Sequence, residues 1–157
     1  MKLIKNSKII ILALIVNITL IAGANAGNDT DIKAVKKSLD TWLIAVSSND
    51  PNKVAALYES DAILLPTLSS KVENLPEERL AYFKKFTALP EIKGKVTELH
   101  TRIYDNIGIN TGLYTFTFKK YGKTISVPAR FSFVYRKTDN GWMIVDHHSS
   151  KLPEDIK

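Results

Sequence analysis

Two neighbouring segments of the chain decide its fold: residues 108–119 read GINTGLYTFTFK, and residues 124–136 read TISVPARFSFVYR. In both segments apolar and polar side chains alternate, and several aromatic residues recur at every second position. Successive side chains of a strand point to opposite faces, so this period of two predicts two strands, each with one aromatic face. Tyr121-Gly122 between them favours a tight turn, which would make the two strands antiparallel.

The alternation continues on both sides of this pair. We expect further strands at about residues 96–104 and 142–149, joined to the pair by turns at Asp105-Asn106 and Asn140-Gly141. A short apolar strand is expected earlier in the chain, at residues 62–65, where Pro66 would end it. The second half of the chain is therefore predicted to be a meander of antiparallel strands.

Helices are predicted before the meander. A first helix would be capped by Thr30 or Asp31, a short second helix would begin at Asp50-Pro51, and a third would begin at Pro76. The first helix carries one apolar stripe at helical spacing: Ile32, Val35, Leu39, Trp42, Leu43 and Val46. Helices followed by a meander predict one α+β domain with helices on one face of a bent antiparallel sheet.

The alternation separates two faces of the sheet. One face carries the aromatic rows, which would make a good core under the helices: Tyr114, Phe116, Phe118, Phe131, Phe133 and Tyr135. The opposite face carries Thr115, Thr117, Arg130 and Ser132. A polar row of this kind is usually solvated, but it could also form a subunit interface or line a cavity.

The first 26 residues have the pattern of a secretory signal peptide. Lys2, Lys5 and Lys8 give a positive start, residues 9–22 are apolar except for two polar positions, and Ala24-Asn25-Ala26 has small residues where signal peptidase cuts. The apolar run is shorter than the roughly 20 residues of a spanning helix, so we expect cleavage rather than a membrane anchor. The mature protein would be a single domain, residues 27–157, in the periplasm or secreted.

Charge and composition exclude several classes of function. The whole chain has a formal net charge of +6, and without the three lysines of the signal segment it has 19 basic and 16 acidic residues, net +3. That charge is too weak to indicate nucleic-acid binding. The chain has no cysteine, which excludes disulfides, thiolate metal sites and cysteine nucleophiles. Three histidines without metal-ligand spacing predict no metal site, and nothing indicates a cofactor.

The residues most able to carry chemistry lie on the predicted strands. His147 and His148 are adjacent, so normally only one of them reaches a given pocket, where it could act as a base or a donor. Arg130 stands in an otherwise apolar strand. If it points inward it needs a partner, which could be Asp61, Asp146 or an acidic ligand.

Two other residues are candidate ligand contacts. Arg102 shares a strand face with His100 and Tyr104, which is ordinarily a solvent-exposed face but could contribute to a binding site. Trp42 lies on the apolar stripe of the first helix, where packing is the usual role and stacking on a ligand is the alternative.

Several segments in order resemble a known family. They are Asp61–Ser69, the helix with Tyr82-Phe83, Asn110–Phe116, Ala129-Arg130-Phe131 with Val134-Tyr135, and Gly141–Ser150 with Pro153. Over residues 31–153 this order resembles bacterial proteins similar to the association domain of calcium/calmodulin-dependent protein kinase II, within the nuclear transport factor 2-like superfamily. The resemblance implies a cone-shaped α+β fold whose curved sheet wraps around a long N-terminal helix and encloses a pocket.

The resemblance also implies self-association through the sheet, as a homodimer or a larger ring, but no kinase activity. The kinase pocket is rich in arginine, whereas the matching positions here hold Phe116, Phe133 and Ser149. The implied pocket is therefore more apolar and aromatic, although Arg130 could still hold an organic acid.

Two functions follow from the resemblance. The first is a non-catalytic module that binds a small molecule, with Arg130, His147, His148, Tyr114, Trp42 and Arg102 as candidate contacts. The second is an enzyme similar to ketosteroid isomerase, scytalone dehydratase or SnoaL-like cyclases, which work by general acid/base chemistry on hydrophobic substrates. Its candidate catalytic residues are Asp61, His148 and Tyr114.

Overall fold

The computed structural model describes the backbone of residues 8–153 and the side chains from Asn28 onward. The predicted signal segment, residues 1–26, lies outside the described side chains, and its cleavage stays a prediction. Residues 8–153 form three helices and five strands. They are α1 (Lys8–Ser47), α2 (Pro51–Ala55), β1 (Tyr58–Leu65), α3 (Pro76–Thr87), β2 (Lys93–Tyr104), β3 (Ile107–Lys120), β4 (Lys123–Thr138) and β5 (Gly141–Lys151).

The five strands form a single sheet in the order β1-β5-β4-β3-β2. Strands β2 to β5 are the predicted antiparallel meander, and their connections are the predicted turns. Asp105 and Tyr121 adopt positive φ angles of 51°, as tight reversals require. Strand β1 pairs with β5 in parallel, which the sequence did not reveal, because helix α3 and three strands separate the two segments.

Helix α1 lies against the inner face of the sheet through the predicted apolar stripe. Val35, Leu39 and Trp42 are at most 1% exposed. The approach to the sheet is close at Gly108, where a Cβ atom would come within 2.5 Å of a Val35 methyl group. The sheet curves around this helix, and the predicted aromatic rows of β3 and β4 are buried beneath it.

The start of α1 differs from the prediction. The helix runs through Thr30 and Asp31 without a cap, beginning at Lys8, and no proline precedes Pro51 to interrupt it. The Asp31 carboxylate instead lies 2.7 Å from Lys137 Nζ at the end of β4.

The predicted start of helix α2 is confirmed. The Asp50 side chain accepts a hydrogen bond from the backbone N–H of Asn52, and Pro51 occupies the first helical position.

Arg79 of helix α3 ties that helix to the edge strand β1. Its guanidinium is buried and donates to three main-chain carbonyls, those of Ala62 at 2.5 Å, Glu59 at 2.8 Å and Ser60 at 3.0 Å. These contacts fall where the pairing of β1 with β5 shifts register between Tyr58 and Ile63. The arginine therefore supplies donors to the carbonyls of the irregular segment, a role that periodicity does not reveal.

Candidate functional site

A small cavity lies between the inner face of the sheet, helix α1 and helix α3. Its volume is about 20 Å³, room for about one water molecule. The lining is apolar and aromatic apart from a few hydroxyls and one imidazole, and no lining residue is a carboxylate, lysine or arginine. The lining residues are Trp42, Leu64, Pro66, Thr67, Leu68, Tyr82, Phe83, Phe86, Tyr114, Phe116, Phe118, Val127, His147 and Ser149.

His147 is the polar centre of this cavity. Its side chain points inward from β5 and is 3% exposed. One ring nitrogen, Nδ1, lies 2.8 Å from the Tyr58 hydroxyl, which in turn lies 3.0 Å from the Trp42 indole nitrogen. The ring of Phe133 stacks on the imidazole with centroids 3.8 Å apart. The imidazole is therefore fixed on one edge by a hydrogen bond and on one face by an aromatic ring.

The other edge of His147 leads towards the rim of the cavity. Its Nε2 lies 3.5 Å from the Tyr114 hydroxyl, which donates to Ser149 Oγ at 2.5 Å. The Ser149 hydroxyl is also hydrogen-bonded to the Thr67 hydroxyl, where the chain leaves β1. Polar groups thus form one continuous chain from Trp42, deep in the core, to the rim.

This chain of polar groups is electrically neutral near pH 7. Burial lowers the pKa of the His147 imidazole to about 3, and the nearby His148 acts in the same direction. Burial also raises the pKa of the Tyr58 and Tyr114 hydroxyls well above the usual value. The cavity therefore offers neutral hydrogen-bonding groups in an apolar setting and has no formal charge.

Three of the candidate residues meet in this cavity. Trp42, Tyr114 and His147 line it together. Trp42 lies at the centre of the cluster of rings beside the cavity, with ring contacts to Phe83, Tyr114, Phe116, Phe133 and His147 at centroid distances between 5.2 and 6.5 Å.

The structure places the other four candidates outside the cavity. Arg130 and His148 lie exposed on the outer face of the sheet, beside a shallow depression that they share with Ser132 and Ser150. Alternation explains this, because Phe131 and His147 point inward and their neighbours must point outward. An organic acid held inside the cavity by Arg130 is therefore a wrong expectation.

Asp61 and Arg102 also lie on the outside. The Asp61 side chain is 72% exposed, and its carboxylate lies 3.5 Å from Arg136 rather than beside Arg130, one of the pairings that the sequence left open. Arg102 is exposed on β2, in the ordinary solvent-facing position of its row. Neither side chain can reach the cavity.

Sequence reasoning missed Tyr58 and Thr67, and it placed Ser149 at a pocket position only through the family resemblance. Tyr58 begins β1, four residues before the predicted start of that strand at residue 62. Ser149 stands two residues after His147 on the same strand, so the period of two could have placed both on the inner face. Thr67 lies in a loop, where no periodic signal indicates its direction.

A surface groove adjoins the cavity along helix α3. The groove, of about 670 Å³, shares Leu68, Tyr82 and Phe86 with the cavity lining. Lys71 fixes the loop beside it, with Nζ 2.5 Å from a Glu78 carboxylate oxygen and 3.6 Å from one of Glu73. The side chains of Leu68 and Tyr82 thus lie at the boundary between the cavity and the groove.

Residues 31–153 match the family model described as the calcium/calmodulin-dependent protein kinase II association domain. A solved structure from Xanthomonas campestris, described with that same domain name, is 41% identical to this chain, with a TM-score of 0.70 over 74% of this chain and 84% of that one. No curated protein sequence matches the chain significantly.

More distant structures share the fold alone. A Streptomyces avermitilis protein described as a dehydratase of the nuclear transport factor 2-like family has a TM-score of 0.73 at 17% identity, over 81% of this chain and 99% of that one. A ketosteroid isomerase-like protein from Erwinia carotovora atroseptica has a TM-score of 0.64 at 16% identity, over 79% and 98% of the two chains.

Proposed function

Because the chain belongs to the calcium/calmodulin-dependent protein kinase II association domain family, we propose that it is a self-associating, non-catalytic module that binds a small molecule in its cavity. One observation carries the binding half of this proposal. A chain of neutral polar groups ends in an apolar cavity between the sheet and its helices, and a groove adjoins that cavity. An apolar pocket with a few convergent polar groups is the usual form of a small-molecule site.

The non-catalytic half rests on where the ionisable groups lie. Asp61 and His148, the acid/base candidates, are on the outer face, and Tyr114 is a neutral hydroxyl. The imidazole inside the cavity belongs to His147, whose pKa of about 3 makes it a weak base at neutral pH. A proton-transfer enzyme needs a base poised nearer the working pH, so binding fits the site better than catalysis does.

Self-association is proposed through the outer face of the sheet. Ile109 and Val134 lie directly opposite each other on β3 and β4, and both are partly exposed there. Arg136 on the same face pairs with the Glu59 carboxylate. Partly exposed apolar side chains beside paired charges suit an interface between two copies, either as a homodimer or within a larger ring.

Export completes the proposal, with cleavage near Ala26 and release into the periplasm or the medium. The support is the sequence pattern of the first 26 residues, with its three lysines, apolar run and small residues at the cleavage position. Among the residues with described side chains, no helix is long and apolar enough to cross a membrane.

Two measurements on the exported protein test this function. Sedimentation velocity is expected to show a dimer or a larger assembly. Extraction of the purified assembly with organic solvent, followed by mass spectrometry, is expected to release a compound at about one per subunit. A monomer from which nothing is extracted, and which abstracts protons from a test ketone, would favour the enzyme instead.

A further inference from the structure

We propose that the cavity selects a small, neutral, largely apolar compound with a hydrogen-bond acceptor, such as a ketone, through the Nε2–H of His147. The proposal rests on the proposed function, because it names the chemistry of the molecule that the cavity would bind. It differs from an acid-binding site, since the group that would recognise the ligand is an uncharged donor.

Trp42 sets the direction of the hydrogen bonds. An indole nitrogen only donates, so the Tyr58 oxygen accepts from Trp42 Nε1 at 3.0 Å. Among the described residues, His147 Nδ1 at 2.8 Å is the acceptor within reach of the Tyr58 proton, so we assign that proton to the bond between Tyr58 and His147. With this assignment Nδ1 is the unprotonated nitrogen of a neutral ring, and the ring proton lies on Nε2. Trp42 and Tyr58 thus fix the tautomer of His147.

The proton on Nε2 is left with a poor partner. The nearest hydroxyl, that of Tyr114, is 3.5 Å away, at the outer limit of a hydrogen bond. The proton of that hydroxyl is already committed to Ser149 at 2.5 Å. A ligand carbonyl oxygen placed 2.8 to 3.0 Å from Nε2, about the usual distance, would therefore gain a better hydrogen bond than the one present.

The lining excludes an anion. No lysine or arginine lines the cavity, so a carboxylate would lose its hydration and meet neutral donors alone. A protonated His147 could pair with the ligand carboxylate, but it would lose its hydrogen bond from Tyr58, because Nδ1 would then carry a proton that faces the Tyr58 proton. A neutral acceptor incurs neither cost, and the phenylalanine rings around the site suit an apolar remainder.

Entry requires the cavity to widen. Its present 20 Å³ is too small for any compound larger than about one water. Leu68 and Tyr82 border both the cavity and the neighbouring groove, and Leu68 is 53% exposed. Rotation of these two side chains would join the two spaces, so a ligand would enter alongside helix α3.

The test compares three probes of similar size: acetophenone, ethylbenzene and benzoate. Binding is followed by the NMR signals of the cavity residues in the exported protein at pH 7, and the ¹⁵N shifts of the His147 ring report its tautomer. We expect a protonated Nε2, an unprotonated Nδ1, and acetophenone binding at least about tenfold more tightly than either other probe, which corresponds to about 1.4 kcal/mol.

Variants separate recognition from packing. Tyr58→Phe removes the hydroxyl that fixes the tautomer and is expected to reduce the preference for acetophenone over ethylbenzene by about tenfold or more. Tyr121→Phe makes the same chemical change at a side chain that is 92% exposed and should behave as the unmodified protein does. If Tyr58→Phe does not fold, the ring shifts of the unmodified protein still test the tautomer directly.

The contrary outcomes are distinct. A proton on Nδ1, or benzoate bound in the cavity more tightly than acetophenone, would overturn the selectivity and leave small-molecule binding standing. If none of the three probes shifts the cavity signals, both the selectivity and the binding function fail.

Discussion

The Tyr58 hydroxyl oxygen lies 2.8 Å from Nδ1 of His147, and both groups are buried in the core. This contact joins the strands that come first and last along the chain, since Tyr58 begins β1 and His147 lies in the neighbouring strand β5. It also connects fold to function, because the hydrogen bond that satisfies two buried groups leaves the remaining imidazole edge facing the cavity.

Removing the Tyr58 hydroxyl should destabilise the protein. In Tyr58→Phe both the Trp42 indole N–H and His147 Nδ1 lose a partner in the core. We expect the free energy of unfolding to fall by about 1–3 kcal/mol, measured by urea denaturation. Tyr121→Phe is the matched control and should change it by less than about 0.5 kcal/mol. Equal stabilities for the two variants would contradict the buried hydrogen bonds.

Stability should decline in acid because of His147. The pKa of His147 is about 3 in the folded protein, and the ordinary value of 6.5 applies in the unfolded chain. Between these two pH values the unfolded state therefore binds a proton that the folded state does not. Stability then falls as pH drops below 6.5, by at most about 1.4 kcal/mol per unit from this group. Burial raises the pKa of the Asp146 carboxyl, which opposes this trend.

Paired denaturation curves from pH 7 to pH 4.5 isolate the contribution of His147. The difference in unfolding free energy between the unmodified protein and His147→Gln should become smaller as the pH falls. Thr97→Gln changes an exposed, non-ionisable side chain on β2 and should keep the slope of the unmodified protein. A His147→Gln variant with that same slope would show that the imidazole is not held neutral.

Arg79 should be essential to the edge of the sheet. Arg79→Met leaves three main-chain carbonyls of β1 without their donors, and we expect a loss of about 3 kcal/mol in unfolding free energy. Lys84→Met, an exposed position on the same helix, serves as the control. Hydrogen exchange should rise selectively in β1. A loss no larger than that of the control would mean that water replaces the arginine at those carbonyls.

Self-association should depend on the outer face of the sheet. Val134→Asp places a charge where two copies are proposed to meet, opposite Ile109. We expect sedimentation velocity to show a shift to monomer at micromolar concentration, with an unchanged circular dichroism spectrum. Lys33→Asp on the exposed side of α1 should keep the assembly. An intact assembly in Val134→Asp would place the interface elsewhere.

The sheet could be predicted closely because alternation is a local signal. The aromatic rows at Tyr114 and Phe133 showed which strand faces belong together, and the structure buries both residues. The direction of Arg130 could not be predicted from that pattern alone, since alternation separates two faces without showing which one the helices cover. The parallel pairing of β1 with β5 and the role of Arg79 depend on long-range contacts, which leave no periodic signal.

Native mass spectrometry of the exported protein tests the central claim most directly, because it reports subunit number and bound mass together. The unmodified protein is expected to be detected as a dimer or larger ring with one defined extra mass per subunit. Val127→Phe, which adds bulk at a cavity-lining residue, should lose that mass, whereas Ile44→Phe at an exposed position should keep it. A ligand-free monomer, or an extra mass unaffected by Val127→Phe, would contradict a self-associating module that binds a small molecule in this cavity.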